Sequence, residues 1–150
     1  MAISYNMPYN VSIYMIKHLK LVLFVLFTVI FRSTFPETAP DDTRTLEQFY
    51  FATNGEFWTW DVGKTSWSFS TPSDPCIDRW DGVVCDFSWN QCKTRECRVT
   101  EIELRTHNLT GGPLPSLGNL TSLVKFSVFA NNLTGTIDSS VFASLPLTSL

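Results

Sequence analysis

The chain has 150 residues, of which 44% are hydrophobic and 17% charged, and its formal net charge is −3. This length allows one modest domain. Three of the basic residues (Lys17, Lys20 and Arg32) precede position 36, so the remainder carries fourteen acidic side chains against eight basic ones. The absence of a basic stripe argues against nucleic acid or an anionic membrane surface as a partner.

An apolar run near the amino terminus predicts a secretion signal. A short basic stretch at 17–20 precedes eleven largely apolar residues at 21–31. A membrane-spanning helix needs about twenty residues, whereas a shorter run with a basic flank is typical of a signal peptide. We predict a signal peptide over residues 1–35, with Met15 as a possible true start. An uncleaved signal anchor is the alternative interpretation.

A polar linker over residues 36–41 and then a helix are predicted next. Asp42 or Thr43 can cap the amino terminus of this helix. The pair Asn54-Gly55 is expected to end it, since glycine readily takes the left-handed conformation after a last turn. Four residues spaced i, i+3, i+4 and i+7 would form its buried face. These are Leu46, Phe49, Tyr50 and Thr53.

An aromatic-rich stretch without clear periodicity follows the helix. We interpret it as loops and short turns whose large rings pack on the helix as core, rather than as an aromatic ligand cage. Further on, Val83-Val84 predicts a strand that follows a bend at Gly82 and pairs with a second strand over 99–104. Asp81 and Asp86 flank the first strand and are expected at the solvated surface. The rings are those of Phe57, Trp58, Trp60, Trp67 and Phe69.

Four cysteines lie within one short segment, at Cys76, Cys85, Cys92 and Cys97. Their spacing lacks the C-x2-C pairs of zinc sites, and no histidine lies among them, so structural disulfides are predicted. Of the three possible pairings, the sequential one fits best, joining the first two cysteines and the last two. Closing each short loop should stabilise the fold by roughly 2–3 kcal/mol on the chain-entropy model.

From Val99 onward, apolar residues recur every 24 positions. Within each copy they occupy places 1, 4 and 6, and places 4 and 6 point to the same side of a short strand. One such turn cannot bury its apolar side alone, so successive turns must stack, as they do in an α/β solenoid. The copies are Val99, Ile102 and Leu104, then Leu123, Phe126 and Val128, with Leu147 and Leu150 opening a third.

These turns resemble the plant-type leucine-rich repeat, LxxLxLxxNxLxGxIPxxLGxL. The preceding motif, DPCxxxWxGVxC at 74–85, resembles the amino-terminal cap of such proteins, and LEQFYFATNGEFW at 46–58 is similar to the opening of secreted leucine-rich-repeat proteins from microbes and protists. In the family, the repeat asparagine bonds backbone groups of adjacent turns. Two positions depart from the pattern: His107 replaces that asparagine, and Asp138 replaces a proline.

The resemblance implies the start of a leucine-rich-repeat superhelix behind a helix-and-strand, disulfide-stapled cap. The cap would cover residues 42–98, and the repeats residues 99–150. The repeats amount to two full turns and the start of a third. Because at least three repeats are generally needed for stability, we expect the chain to be a fragment of a longer protein.

The outward side chains of the two predicted repeat strands are the candidate ligand face. We expect a secreted or cell-surface module that binds a protein, a peptide or a glycan there, since solenoids use such surfaces for extended partners. The alternatives are an adhesive or structural wall protein, and the ectodomain of a receptor kinase whose catalytic part lies beyond residue 150. The candidates are Glu101, Glu103, Arg105, Lys125, Ser127 and Phe129.

No catalytic constellation is recognisable in the sequence, so no enzymatic activity, cofactor or metal site is expected. Membrane contact is expected only through a signal anchor or a span downstream of the chain. Three N-x-[ST] sequons, at Asn108, Asn119 and Asn132, are candidates for glycosylation.

Overall fold

The computed structural model describes residues 37–70, 72–86 and 96–150. The predicted signal peptide, with Met15, lies outside the described residues, and so does Cys92. The described residues all belong to one compact unit, residues 36–150. Among the described residues, no helix combines the length and the apolar character needed to cross a bilayer.

The α-helix α1 spans Pro40–Ala52 and begins before the predicted Asp42 cap. Proline is favoured at a first helical position, because its fixed φ suits the helix and its missing N–H has no partner to lose there. Thr38 forms a parallel bridge with Cys97, and the Ala39 N–H donates to the Cys97 carbonyl at 2.9 Å. The prediction of a linker over 36–41 is therefore corrected, since this segment packs against the rest of the fold from position 38.

The predicted buried face of α1 is confirmed. Leu46 and Phe49 are fully buried, Thr53 is buried at the carboxyl end, and Tyr50 is half-buried. Asn54 then takes a left-handed conformation, with φ of 55°, and a short 3-10 helix follows over Gly55–Phe57. A Cβ at position 55 would overlap the Tyr50 ring, so the close approach requires glycine.

The aromatic stretch supplies much of the core, as predicted. Trp58, Trp67 and Trp80 are buried, and the rings of Trp67 and Trp80 stack with centroids 5.6 Å apart. The Trp58 Nε1–H donates to the Thr53 carbonyl at 2.9 Å, and the Trp67 Nε1–H donates to the Asp81 carbonyl at 2.7 Å. Because these buried indoles have hydrogen-bond partners, their burial costs little. The Phe57 ring departs from the prediction, being 63% exposed.

A three-stranded sheet joins the cap to the repeats. Strand β1 (Val83–Cys85) pairs antiparallel with β2 (Val99–Glu103), as predicted. Strand β4 (Lys125–Ser127) pairs in parallel with the other edge of β2, and each of its residues lies beside the residue 24 positions earlier in the chain. A second parallel pair joins β3 (Thr110–Gly111) to β5 (Asn132–Leu133). Successive turns are therefore stacked at two places along each turn.

The apolar positions of the first two 24-residue copies point inward, which confirms the predicted spacing there, whereas Leu150 of the third copy is 75% exposed. Val99, Ile102 and Leu104 are fully buried in the first turn, and Leu123 and Phe126 are buried in the second. A further parallel bridge, between residues 125 and 149, continues the register into the third copy and aligns position 147 with position 123. A longer α/β solenoid built from such turns stays a prediction.

A disulfide joins Cys76 to Cys85 at the end of β1, with their Cα atoms 5.8 Å apart. This is the pair expected from sequential bonding. Cys97 is also disulfide-bonded, and its predicted partner at position 92 lies outside the described residues. The first bond fastens the turn that contains Trp80 to the sheet, so it holds the cap against the first repeat strand.

Candidate binding face of the strands

We call the outward side chains of β2, β4 and the residues that follow each strand the strand face. Alternation along a strand places every second residue on this side. The register sets Glu101 beside Lys125 and Glu103 beside Ser127. The Thr106 N–H donates to the Phe129 carbonyl at 3.2 Å, so Arg105 and Phe129 are also neighbours. The strand face comprises Glu101, Glu103, Arg105, Lys125, Ser127 and Phe129.

The charged side chains in one half of the strand face are paired with one another. Lys125 Nζ lies 3.5 Å from the Glu101 carboxylate and also pairs with the carboxylate of Glu103. All three side chains are about one-third exposed. Ion pairs at such exposure contribute little to stability, about 0–1 kcal/mol. Because one lysine pairs with two glutamates, this half of the strand face presents a ligand with a net charge of only −1.

The other half of the strand face combines an unpaired cation with an exposed ring. Arg105 is exposed, and its guanidinium forms no ion pair with any of the residues that the structure describes. Phe129, one turn further along, is 74% exposed. A guanidinium can bind a carboxylate through two parallel hydrogen bonds, and an exposed ring gains by burial against an apolar group. This pair can therefore contact an anionic and an apolar group together.

Directly beyond the strand face, Asn131 links two turns. Its Nδ2 donates to the carbonyls of Leu104 at 2.6 Å and Val128 at 2.9 Å, and its Oδ1 accepts from the Leu109 N–H at 3.0 Å. These bonds are the asparagine contacts that the family resemblance implies. They hold the left-handed turn at Ala130, where φ is 56°.

His107 takes the equivalent place in the first turn and bonds differently. Its Nδ1 lies 2.6 Å from the Arg105 carbonyl oxygen, and its Nε2 lies 3.2 Å from Asp81 Oδ2. The Asp61 backbone N–H also donates to Asp81 Oδ2, at 3.0 Å. The first turn is therefore tied to the cap, whereas Asn131 ties the second turn to the first.

The expectation that Asp81 lies at a solvated surface is wrong, because its side chain is only 6% exposed. Its partner His107 is 26 residues away in the sequence, so local patterning gave no sign of the contact. Asp86, in contrast, is exposed, and its carboxylate accepts from the Arg98 N–H at 2.9 Å. Among the described ranges, Asp61, Asp81 and His107 form the one group of three side chains able to hold a metal ion.

A second buried carboxylate, Asp42, was predicted as a helix cap and has another role. It accepts from the Val99 N–H at 2.8 Å and pairs with Arg98 at 2.8 Å. Burial raises the pKa of Asp42, although the Val99 hydrogen bond and the Arg98 charge act in the opposite direction. Arg98 also donates to the carbonyl of Asn119 at 3.1 Å and the hydroxyl of Thr121 at 2.8 Å.

The sequon asparagines Asn108, Asn119 and Asn132 are all exposed. Asn108 Nδ2 donates to the Phe57 carbonyl at 3.0 Å, and the backbone N–H of Asn132 donates to the Leu109 carbonyl at 2.8 Å. Their exposure is compatible with attached glycans, and glycosylation stays a prediction.

Asp138, the other departure from the repeat pattern, caps a short 3-10 helix over Ser139–Phe142. Its Oδ1 accepts from the Ser140 N–H at 2.7 Å. The same hydrogen bond lowers the pKa of Asp138. An aspartate can therefore stand where the pattern has proline, because it stabilises the start of the next element by capping.

No protein-family model matches the chain. It is 31% identical over 136 residues to a probable LRR receptor-like serine/threonine-protein kinase of Arabidopsis thaliana, a match that covers 87% of this chain and 12% of that protein. It is 41% identical over 78 residues to the receptor-like kinase TMK2 of the same plant, covering 51% of this chain and 7% of the relative.

A third relative, the Arabidopsis thaliana protein STRUBBELIG, is 31% identical over 72 residues, covering 48% of this chain and 8% of its own length. The chain thus spans 12% or less of the length of these relatives. The similarity indicates a leucine-rich-repeat type of fold. The chain is accordingly similar to short segments of plant receptor-like kinases.

Proposed function

We propose that the chain is the amino-terminal part of an extracellular, receptor-like leucine-rich-repeat protein that binds a protein or peptide on its strand face. The observation that carries the proposal is the parallel register of β2 and β4, which aligns outward side chains of two successive turns. Neighbouring strands lie about 4.8 Å apart, so these side chains form one continuous surface. Similarity to plant receptor-like kinases supports the receptor-like role.

The ligand chemistry follows from the two halves of the strand face. Glu101, Glu103 and Lys125 already satisfy one another, whereas Arg105 and Phe129 have unused binding capacity. A matching ligand is an extended peptide in which a carboxylate stands close to a large apolar side chain. Aromatic and arginine side chains are also those that contribute most binding energy at protein interfaces.

The test is affinity selection of a random peptide library on the full chain. We expect enrichment of peptides with Asp or Glu near Leu, Ile or Phe. Arg105→Ala and Phe129→Ala should each weaken a selected peptide about tenfold, as the loss of roughly 1.4 kcal/mol implies.

Two matched variants control for the loss of an exposed side chain elsewhere. Arg44→Ala removes an exposed arginine of α1, and Phe57→Ala removes a ring that is 63% exposed. Both should bind selected peptides as the wild type does. Equal binding by all four variants, or weakening by the controls alone, would place the ligand somewhere other than the strand face.

The names of the relatives favour one form of this function, the ectodomain of a receptor kinase. Sequencing the transcript past Leu150 tests it. An apolar span of about twenty residues followed by kinase motifs would support the receptor kinase. A stop codon after a capping repeat would instead favour a secreted binding or adhesive protein.

A further inference from the structure

Three side chains from distant parts of the sequence converge where the cap meets the first turn. Asp61 comes from the loop after Trp60, Asp81 from the turn before β1, and His107 from the segment after β2. One potential ligand atom from each lies within 4.8 Å of the other two. Asp81 and His107 are each about 5% exposed, whereas Asp61 is exposed. Two members of the cluster are therefore buried, and the third is in contact with solvent.

The hydrogen bonds of His107 define which ring nitrogen carries a hydrogen. Nδ1 lies 2.6 Å from the Arg105 carbonyl oxygen, which can only accept, so the hydrogen is assigned to Nδ1. A neutral ring then directs its Nε2 lone pair at Asp81 Oδ2, 3.2 Å away. Two acceptors at this separation need a positive centre, which is either a proton or a metal ion.

The third member of the cluster adds a potential oxygen ligand. Within the described ranges, the Asp61 carboxylate forms no hydrogen bond or ion pair, although its own backbone N–H donates to Asp81 Oδ2 at 3.0 Å. Because Asp61 is exposed, water can solvate its carboxylate when no ion is bound. A bound metal ion would use all three side chains, since it takes at least three protein ligands in most stable sites.

We propose that Asp61, Asp81 and His107 bind a divalent metal ion of the Zn²⁺ class. One imidazole with two carboxylates suits zinc better than Ca²⁺ or Mg²⁺, which prefer oxygen ligands alone. Zinc ligands at about 2.0–2.2 Å in tetrahedral geometry lie about 3.3–3.6 Å apart, slightly more than the 3.2 Å between Nε2 and Oδ2. A backbone carbonyl on Nδ1 is also a common outer partner of metal-bound histidine.

Such an ion would strengthen the junction between the cap and the first turn. It would stand at the position where the next turn uses Asn131 to bond its neighbour. Because an ion that binds only the folded chain stabilises it by mass action, zinc should raise the unfolding temperature. The site does not depend on the proposed function of the strand face.

Calorimetric titration of the metal-stripped full chain with ZnCl₂ at pH 7.5 tests the proposal, with CaCl₂ as a comparison. We expect one saturable zinc site, no comparable calcium site, and an unfolding temperature that rises with zinc. Asp61→Asn should weaken zinc binding at least about tenfold, while the unfolding temperature without metal stays unchanged, because its carboxylate supports no other contact. Asp41→Asn, which removes an exposed acid from α1, should bind zinc as the wild type does.

A second variant removes the nitrogen ligand. His107→Asn supplies the residue that Asn131 shows can fold at this place in a turn, and it should abolish saturable zinc binding. If this variant fails to fold, Asp61→Asn still decides the question. Absence of saturable binding by the wild type would overturn the proposal in favour of a proton-held pair. Equal affinities of Asp61→Asn and Asp41→Asn would overturn it as well.

Discussion

The Asp42 carboxylate lies in the interior and connects three parts of the fold. It accepts the Val99 N–H at the start of β2 and pairs with Arg98, which in turn donates to the carbonyl of Asn119 near the end of the first turn. A carboxylate buried in this way is stabilised only in part by its partners. Its pKa is raised, because burial outweighs the hydrogen bond and the arginine charge.

The raised pKa of Asp42 predicts the sign of a pH dependence. Because the folded chain binds this proton at a higher pH than the unfolded chain, the free energy of unfolding should rise as pH falls through the folded pKa towards the ordinary value of 3.8. Asp42→Asn cannot titrate, so the stability of the wild type relative to this variant should increase on acidification. Urea unfolding of both proteins between pH 7 and pH 3 measures the difference.

Asp138 provides a control of opposite sign. Its pKa is lowered by the Ser140 N–H, so its contribution to stability is lost as pH falls. The stability of the wild type relative to Asp138→Asn should therefore decrease over the same range. If the difference for Asp42→Asn also decreased, the carboxylate would be better stabilised by Arg98 and Val99 than we infer.

At the scale of elements, α1 is held to the following 3-10 helix by a close contact at Gly55. A Cβ at this position would overlap the ring of Tyr50, which itself packs against Trp58 with centroids 5.2 Å apart. The ring cannot retreat without disturbing that contact. The connection between α1 and the 3-10 helix therefore depends on the absence of a side chain at position 55 as much as on backbone geometry.

Gly55→Ala should destabilise the chain by about 1–3 kcal/mol, the usual cost of overpacking a filled site. Chemical denaturation measures the change. The double variant Tyr50→Ala/Gly55→Ala should show a smaller cost for the glycine substitution, because the obstructing ring is gone. Additive effects of the two substitutions would mean that the backbone conformation, and not the ring, requires glycine.

The elements differ in how far their sequence predicts them. The buried face of α1 and the 24-residue register could be predicted, because each follows from regularly spaced apolar residues that must be covered. The start of α1 could not, since Asp42 has the properties of a cap and its real partner, Val99, lies 57 residues away. The same holds for Asp81, whose burial depends on a histidine in another turn.

For the whole molecule, the cap depends on a few large rings and on the disulfide Cys76–Cys85. The segment between α1 and β1 contains little regular structure, so few backbone ladders hold it. A covalent link across a nine-residue separation limits the freedom of its unfolded chain. The link should therefore contribute a large share of the stability of this segment.

Replacing both cysteines with serine should lower the free energy of unfolding by about 2–3 kcal/mol, on the chain-entropy account of a loop this short. Urea unfolding followed by tryptophan fluorescence measures the loss, since Trp67 and Trp80 lie in the affected core. The strand face should remain folded under native conditions, because β2 and β4 pair with each other independently of this bond. An unchanged midpoint would show that the rings alone suffice.

The candidate strand face could be predicted from sequence as a set of outward positions, but its internal organisation could not. Alternation identifies which side chains point out, whereas the pairing of Lys125 with two glutamates depends on how two turns are juxtaposed. The structure was therefore needed to distinguish the half with paired charges from the half that contains Arg105 and Phe129.

The order of the elements along the chain has a consequence for synthesis. Residues of α1 and the tryptophan-rich segment leave the ribosome before β2, and each repeat emerges after the one on which it lies. We expect the early segment to fold first and to expose an apolar surface, against which each later turn packs as it is translated. Each turn would then find the turn on which it packs already folded.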